Sequence, residues 1–192
     1  MLGIGTAAPE TTISREAGER LARTLSGQAE AERIGQLYRS AGVETRGSVI
    51  DAETMGRELQ GGRGRTTGSR LHAFIEAAGP LGEEAAFGAL TRAERTAGDV
   101  THLVTVSCTG AVSPGLDHAL IDRLGLSTEI SRTHIGFMGC HGALNGLAVA
   151  DAFARAGGTV LLVCAEVCSL HYQGGRPPWD QVVANAIFAD GA

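Results

Sequence analysis

Apolar residues in this chain follow two different patterns. Before about residue 100 they recur mostly at helical spacing. After it they gather into short continuous runs separated by turn residues. In the first part, residues 14–41 read as a helical region with Ser14 as its cap, Glu16 and Glu19 in the early turns, and Leu21, Leu25, Ile34 and Leu37 on an interrupted apolar face. Gly27 and Gly35 weaken a single unbroken helix, and Gly42 ends the region. Residues 69–97 read as a second helical segment, with Leu71, Phe74, Ile75 and Ala78 on one face and Ala85, Ala86, Ala89 and Leu90 on another. A break is expected at Gly79-Pro80-Leu81-Gly82. Residues 1–6 are expected to form a short strand, 43–50 a short extended piece, and the glycine- and arginine-rich stretch 56–68 an exposed loop.

The second part alternates. His102–Ser107 is a compact β-branched run and reads as a buried strand. Pro114 opens a helix that runs to Leu124, and Gly125 closes it. Thr133–Met138 is the next strand, followed by a helix that starts at Cys140 and stops at Gly157-Gly158. Thr159–Val167 is the most strand-like run in the chain, residues 174–180 form a loop, and Gln181–Phe188 reads as a short helix. Strand, helix, strand, helix, strand implies βαβ units, hence an α/β fold with a largely parallel sheet covered on both faces. Ligand chemistry in such sheets lies past the carboxyl ends of the strands. Cys108–Thr109, Cys140 and Val167–His171 all fall there.

Among these, strand–Gly139–Cys140–helix is the most specific arrangement. A thiol at that elbow meets the unpaired N–H groups and the positive dipole end of a helix, conditions that favour the thiolate. Cys140 is therefore the expected nucleophile. Of the other cysteines, Cys164 lies inside an apolar run and reads as a small buried hydrophobe; Cys164, Cys168 and His171 make only a weak metal set without a fourth ligand.

Composition narrows the function classes. The chain has 192 residues, 43% hydrophobic and 19% charged, which suits one globular domain with a real core. The net charge of −5, the lack of a long basic run and an aromatic content of 4% argue against nucleic acid as a partner. No apolar run is long enough to span a bilayer, and the first residues carry no signal-peptide pattern. Reduced cysteines and a cytoplasmic location are expected.

The motifs T-H-L-V-T-V-S-C-T-G-A-V-S-P-G-L-D, G-F-M-G-C-H-G-A-L-N-G-L and V-L-L-V-C-A-E-V, with L-G-I-G-T-A-A-P at the start and N-A-I-F-A-D-G-A at the end, resemble type III polyketide synthases, the chalcone and stilbene synthase family. The bacterial alkylpyrone and alkylresorcinol branch is the most similar. The resemblance is weak over residues 10–70 and strong from Leu71 onward. It implies a thiolase-like fold, of which residues 1–192 are the N-terminal half with the C-terminal half absent, and a homodimer. It implies an acyltransferase that loads an acyl-CoA starter on a cysteine and extends it with malonyl-CoA by decarboxylative Claisen condensation, with these thioesters as substrates and no cofactor. The nucleophile falls on Cys140, and the catalytic histidine and asparagine lie in the missing half, so the piece alone is expected to be inactive. Phe188 falls on the gatekeeping phenylalanine. Cys108, Thr109, Ser113 and His171 fall on positions lining the cavity or the dimer contact. Arg33 and Arg39 are the candidates for the coenzyme A phosphates, and His141 is a variable lining residue. A ketoacyl-ACP synthase III-like condensing enzyme and a non-catalytic or partner-dependent half are the alternatives.

Overall fold

The structure is a computed structural model that describes residues 1–60, 62 and 64–192. In chain order the elements are β1 (Thr12–Ser14), α1 (Arg15–Ser26), α2 (Ala31–Ser40), β2 (Thr45–Gly47), α3 (Ala52–Leu59), α4 (Thr67–Arg92), β3 (His102–Ser107), α5 (Leu116–Leu124), β4 (Ser131–Gly136), α6 (Gly142–Arg155), β5 (Val160–Cys164), β6 (Glu166–Val167), α7 (Trp179–Ile187) and β7 (Asp190–Gly191). The chain divides into two compact units. One comprises Met1–Ala8, Leu71–Glu166 and Gly191–Ala192; the other comprises Pro9–Arg70 and Val167–Asp190.

The first unit is built on a parallel sheet in the order β4-β3-β5. Its centre is β3, where Leu103, Val104 and Thr105 have no exposed surface. A strand buried on both faces needs apolar or hydroxyl side chains at every position, which is why His102–Ser107 reads as a run rather than an alternation. Helices cover both faces, as expected. Added Cβ atoms at Gly142 and Gly146 of α6 would meet Val106 and Leu162, whereas one at Gly82 of α4 would meet Leu120 of α5 and Val163. Leu162 and Val163 are successive residues of β5 and point to opposite faces, so α6 lies on one side and α4 with α5 on the other.

Several expectations fail in this unit. The helix does not break at Gly79-Pro80; α4 runs through Pro80, and Ala78, Gly79, Leu81 and Gly82 are buried there. Packing against α5 and the sheet outweighs the hydrogen bond that Pro80 removes. Residues 1–6 form no strand. Instead Gly3 and Gly5 approach the carbonyls of Ala89 and Ala85 so closely that a Cβ would overlap them, and only Ala7 pairs, with Ala192, at 2.9 and 3.0 Å. The strand expected at 133–138 lies at Ser131–Gly136, because Phe137 takes φ 59° and cannot continue a ladder.

In the second unit β1 and β2 pair antiparallel, with Ile13 opposite Arg46. The helical region 14–41 is two helices. Ser14 caps α1 by accepting the Ala17 N–H at 3.2 Å, and Gly27 at φ 88° ends it. Ala22, Ile34, Tyr38, Val182 and Ala186 form a core among α1, α2 and α7. The exposed loop expected over 56–68 begins later, because α3 continues to Leu59 with Met55 and Leu59 buried and Asp51 as its cap. Gly61 and Arg63 of that stretch lie outside the described residues.

Candidate active site

Strand register brings the sheet's chemistry to one edge. Ser107 pairs with Gly136, and Val106 pairs with Cys164, so the three strands end level. Past those ends stand Cys108–Thr109, Phe137–Cys140 and Glu166, all within the sheet-bearing unit. The Glu166 carboxylate accepts the backbone N–H of Cys108 at 2.8 Å and that of Thr109 at 3.0 Å, and the Thr109 hydroxyl donates to it at 2.5 Å. Gly139 donates its N–H to Cys108 Sγ at 3.1 Å, and the thiol lies 3.8 Å from the Gly139 carbonyl oxygen. The expected gathering is present for two strand ends, Cys108–Thr109 and the Cys140 turn; at the third stands Glu166, whereas the expected Val167–His171 belong to the other unit.

The turn itself follows from glycine and from one strained residue. Phe137 at φ 59° and Gly139 at φ 58° both sit in the left-handed region, on either side of Met138. The chain thereby reverses within four residues of the end of β4. Cys140 lies in a single 3₁₀ turn, Gly139–His141, and the N–H of Gly142 closes that turn on the carbonyls of Gly139 and Cys140. α6 begins at Gly142 and runs for 14 residues. Cys140 therefore precedes the helix by one turn rather than starting it, and its side chain is exposed. Negative charge developing beside it faces the first turn of a helix that carries no acidic residue there. His141 is exposed, as is Ser113 on the turn between β3 and α5.

The role of Glu166 is not evident from the sequence alone. A lone carboxylate in the otherwise apolar run V-L-L-V-C-A-E-V was the signal. Cys164, two residues earlier, is a different kind of thiol: burial pushes its pKa up, and the charge of Glu166 adds to the shift. That agrees with a packing role.

The remaining candidates lie in the second unit. Phe188 follows α7 in extended backbone, 48% exposed. His171 ends a 3₁₀ turn, Cys168–His171, and is half-buried. Arg33 stacks over the ring of Trp179, 3.6 Å from its centroid, at a cleft of about 380 Å³ lined also by Ser26, Gly27, Arg176 and Val182. Arg39 is exposed on the same helix but does not line that cleft. Arg176, which no sequence pattern marks, supplies the cleft's second guanidinium. Among the described residues, no group of three His, Cys, Asp or Glu side chains is placed to hold a metal ion, and no helix is long and apolar enough to cross a membrane.

Comparison with known proteins agrees with this geometry. The family model for the N-terminal domain of chalcone and stilbene synthases matches residues 1–192. Among curated relatives, the α-pyrone synthesis polyketide synthase-like Pks18 of Mycobacterium tuberculosis is 32% identical over 98% of this chain and 49% of its own length. Type III polyketide synthase C of Arabidopsis thaliana is 34% identical over 100% of this chain and 52% of its own. The type III polyketide synthase domain of Steely1 from Dictyostelium superposes with a TM-score of 0.87 at 32% identity, covering 99% of this chain and 53% of that one. The tetrahydroxynaphthalene synthase of Streptomyces coelicolor gives 0.86 at 26% identity, covering 98% and 54%. The chain thus spans about half the length of these relatives. With its thiolase-like α/β architecture, this chain belongs to the chalcone and stilbene synthase family of type III polyketide synthases, whose N-terminal domain it matches throughout.

Proposed function

We propose that this chain is the nucleophile-bearing half of a type III polyketide synthase and that Cys140 carries the growing acyl group. The Cys140 thiolate attacks the carbonyl carbon of an acyl-CoA thioester. The tetrahedral intermediate then collapses, the coenzyme A thiolate leaves and takes up a proton, and the acyl group remains on sulfur. Malonyl-CoA next loses carbon dioxide. The electron pair of the broken bond forms a new carbon–carbon bond to the acyl carbonyl, and the Cys140 thiolate departs. Repetition and cyclisation of the chain complete the product.

One observation carries this reading: in a member of this family, the exposed Cys140 stands on the Gly139 elbow at the carboxyl edge of the parallel sheet, one turn before α6. Such an edge is where parallel α/β sheets place their chemistry. A C-terminal half supplies the histidine and asparagine that the mechanism requires; relatives about twice as long support that division. Arg33 and Arg176 offer two guanidinium groups for the phosphates of coenzyme A at the Trp179 cleft. Following the resemblance, Phe188 is assigned the gatekeeping role, and Cys108, Thr109, Ser113 and His171 are assigned positions on the cavity lining or the dimer contact. The whole enzyme acts as a homodimer in the cytoplasm on soluble coenzyme A thioesters.

The test is covalent loading. The enzyme carrying both halves, incubated with a fatty acyl-CoA and no malonyl-CoA, gains the mass of one acyl group on the Cys140 peptide. Cys140→Ala abolishes the gain. Acylation that persists in Cys140→Ala overturns the assignment.

A further inference from the structure

We propose that Cys108 is a positioning residue for Cys140, with its sulfur acting as the acceptor that fixes the nucleophile's turn and Glu166 holding Cys108 in place. The inference rests on the reading of Cys140 as the acyl carrier.

Phe137 and Gly139 both have left-handed backbone, and the residue between them, Met138, lies near φ −102°, ψ 2°. Three successive residues outside the helical and strand regions are held by few local bonds, since the β4 ladder ends at Gly136 and the 3₁₀ turn bonds begin only at Gly142. Between those two points, the hydrogen bond from the Gly139 N–H to Cys108 Sγ at 3.1 Å ties the elbow to a neighbouring strand end. That bond orients the Met138–Gly139 peptide, and the Gly139 carbonyl, which belongs to the peptide joining Gly139 to the nucleophile, lies 3.8 Å from the same sulfur, so Cys108 touches both peptides that flank Gly139. A shift there moves the Cys140 sulfur by a comparable amount.

Cys108 is in turn held from below. Its own N–H and that of Thr109 both point at the Glu166 carboxylate, at 2.8 and 3.0 Å, and the Thr109 hydroxyl closes on the same oxygen as the Thr109 N–H. The Ser107 hydroxyl adds a longer contact at 3.4 Å. An ionised carboxylate that accepts several donors from one turn is a strong anchor, because charge-assisted bonds are stronger than neutral ones. The route from the end of β5 to the nucleophile is thus Glu166, the Cys108 backbone, the Cys108 sulfur, then Gly139. The first and last links cross between strand ends, so the elbow is registered to all three strands rather than to β4 alone.

This gives position 108 a requirement for an acceptor, not for a thiol's reactivity. Threonine and valine have nearly the same shape there and differ by one acceptor. In the enzyme carrying both halves, Cys108→Val is expected to slow acyl transfer to Cys140 about tenfold, the scale at which sub-ångström misplacement of a reacting group acts. Cys108→Thr retains the rate within about twofold. Both variants melt at the same temperature, which a merely structural role for the residue would not produce together with a rate difference. Should the β-branched pair fail to fold, Cys108→Ser against Cys108→Ala makes the same comparison. Equal rates with and without the acceptor overturn the proposal. Acylation surviving in Cys140→Ala overturns the nucleophile assignment instead, so the two failures are distinct.

Discussion

A methyl group added at Gly142 would stand 2.8 Å from Cγ1 of Val106, on the strand that α6 covers. At Gly146, one turn later, it would stand 2.8 Å from Cδ1 of Leu162 and 3.0 Å from Cγ2 of Val106. The two glycines let the helix lie close on β3 and β5, and this seat determines where the turn bearing Cys140 begins. The two sites differ in what must yield. At Gly142 the nearest atom belongs to Val106, β-branched and locked by the sheet, whereas at Gly146 the nearest is the end of Leu162, which can turn to another rotamer, and Val106 need give only a few tenths of an ångström.

Gly142→Ala is therefore expected to destabilise the protein by about 1–3 kcal/mol, the range for overpacking a filled core. Gly146→Ala should lie within about 1 kcal/mol of wild type, because the gain in helix propensity offsets a softer clash. Urea denaturation of both variants measures the order. A Gly142→Ala protein as stable as wild type would mean that α6 is not seated by this contact.

Phe137 carries a second local cost. Its φ of 59° is rare for a residue with a Cβ, and its side chain is 84% exposed, so little packing holds it. Phe137→Asn, a residue tolerant of that region, should melt at or above the wild-type temperature. Phe137→Val should lose about 1–2 kcal/mol, because a β-branched residue fits that backbone worst. Thermal unfolding of the pair decides, and equal melting points would contradict the strain argument.

This residue also shows where sequence reading stops. The strand β3 was legible residue for residue, because a six-residue β-branched run buried on both faces leaves one solution. Its neighbour β4 was legible as an element but displaced by two residues, since nothing in G-F-M-G-C announces that Phe137, rather than a glycine alone, turns the chain. The continuous α4 was hidden by Pro80, whose local preference loses to the packing of Gly79 and Gly82 against α5. The turn that sets Cys140 ahead of α6 was legible from Gly139 and the helical pattern behind it. The anchoring by Glu166 and Cys108 was not, because it depends on groups 31 and 58 residues apart in the chain meeting at one edge.

Arg33 and Arg39 separate the coenzyme A reading from a general surface charge effect. They sit on the same helix, but only Arg33 lines the Trp179 cleft. Arg33→Ala in the enzyme carrying both halves should raise KM for acyl-CoA on the order of tenfold at low salt, with kcat unchanged and the effect shrinking as salt screens the phosphates. Arg39→Ala should change KM by less than about twofold, as expected for an exposed charge outside the site. Steady-state kinetics at two ionic strengths measures both. Equal effects would move the phosphate site away from the cleft.

Asp190, which is 5% exposed, makes the stability of the fold depend on pH. Burial raises its pKa. The bonds it accepts from the Ser169 N–H at 2.8 Å, the Ser169 hydroxyl at 2.5 Å and the Val49 N–H at 2.7 Å pull it back only in part. A folded-state value above the unfolded one of about 3.9 fixes the sign. Below the unfolded value both states hold the proton and the group imposes no penalty. As pH rises, the unfolded chain ionises first, so the stability Asp190 contributes in acid is lost as pH climbs through the folded value. Glu16, Asp51 and Asp99 are exposed carboxylates held low mainly by backbone N–H groups, and they act in the opposite direction. They are common to wild type and Asp190→Asn, and so cancel in the difference between the two. Wild-type stability minus that of Asp190→Asn, from urea titrations at a series of pH values starting below 4, should therefore fall as pH rises to 7. A difference that stays flat or grows with pH would show that its hydrogen-bond donors, not burial, control this carboxylate.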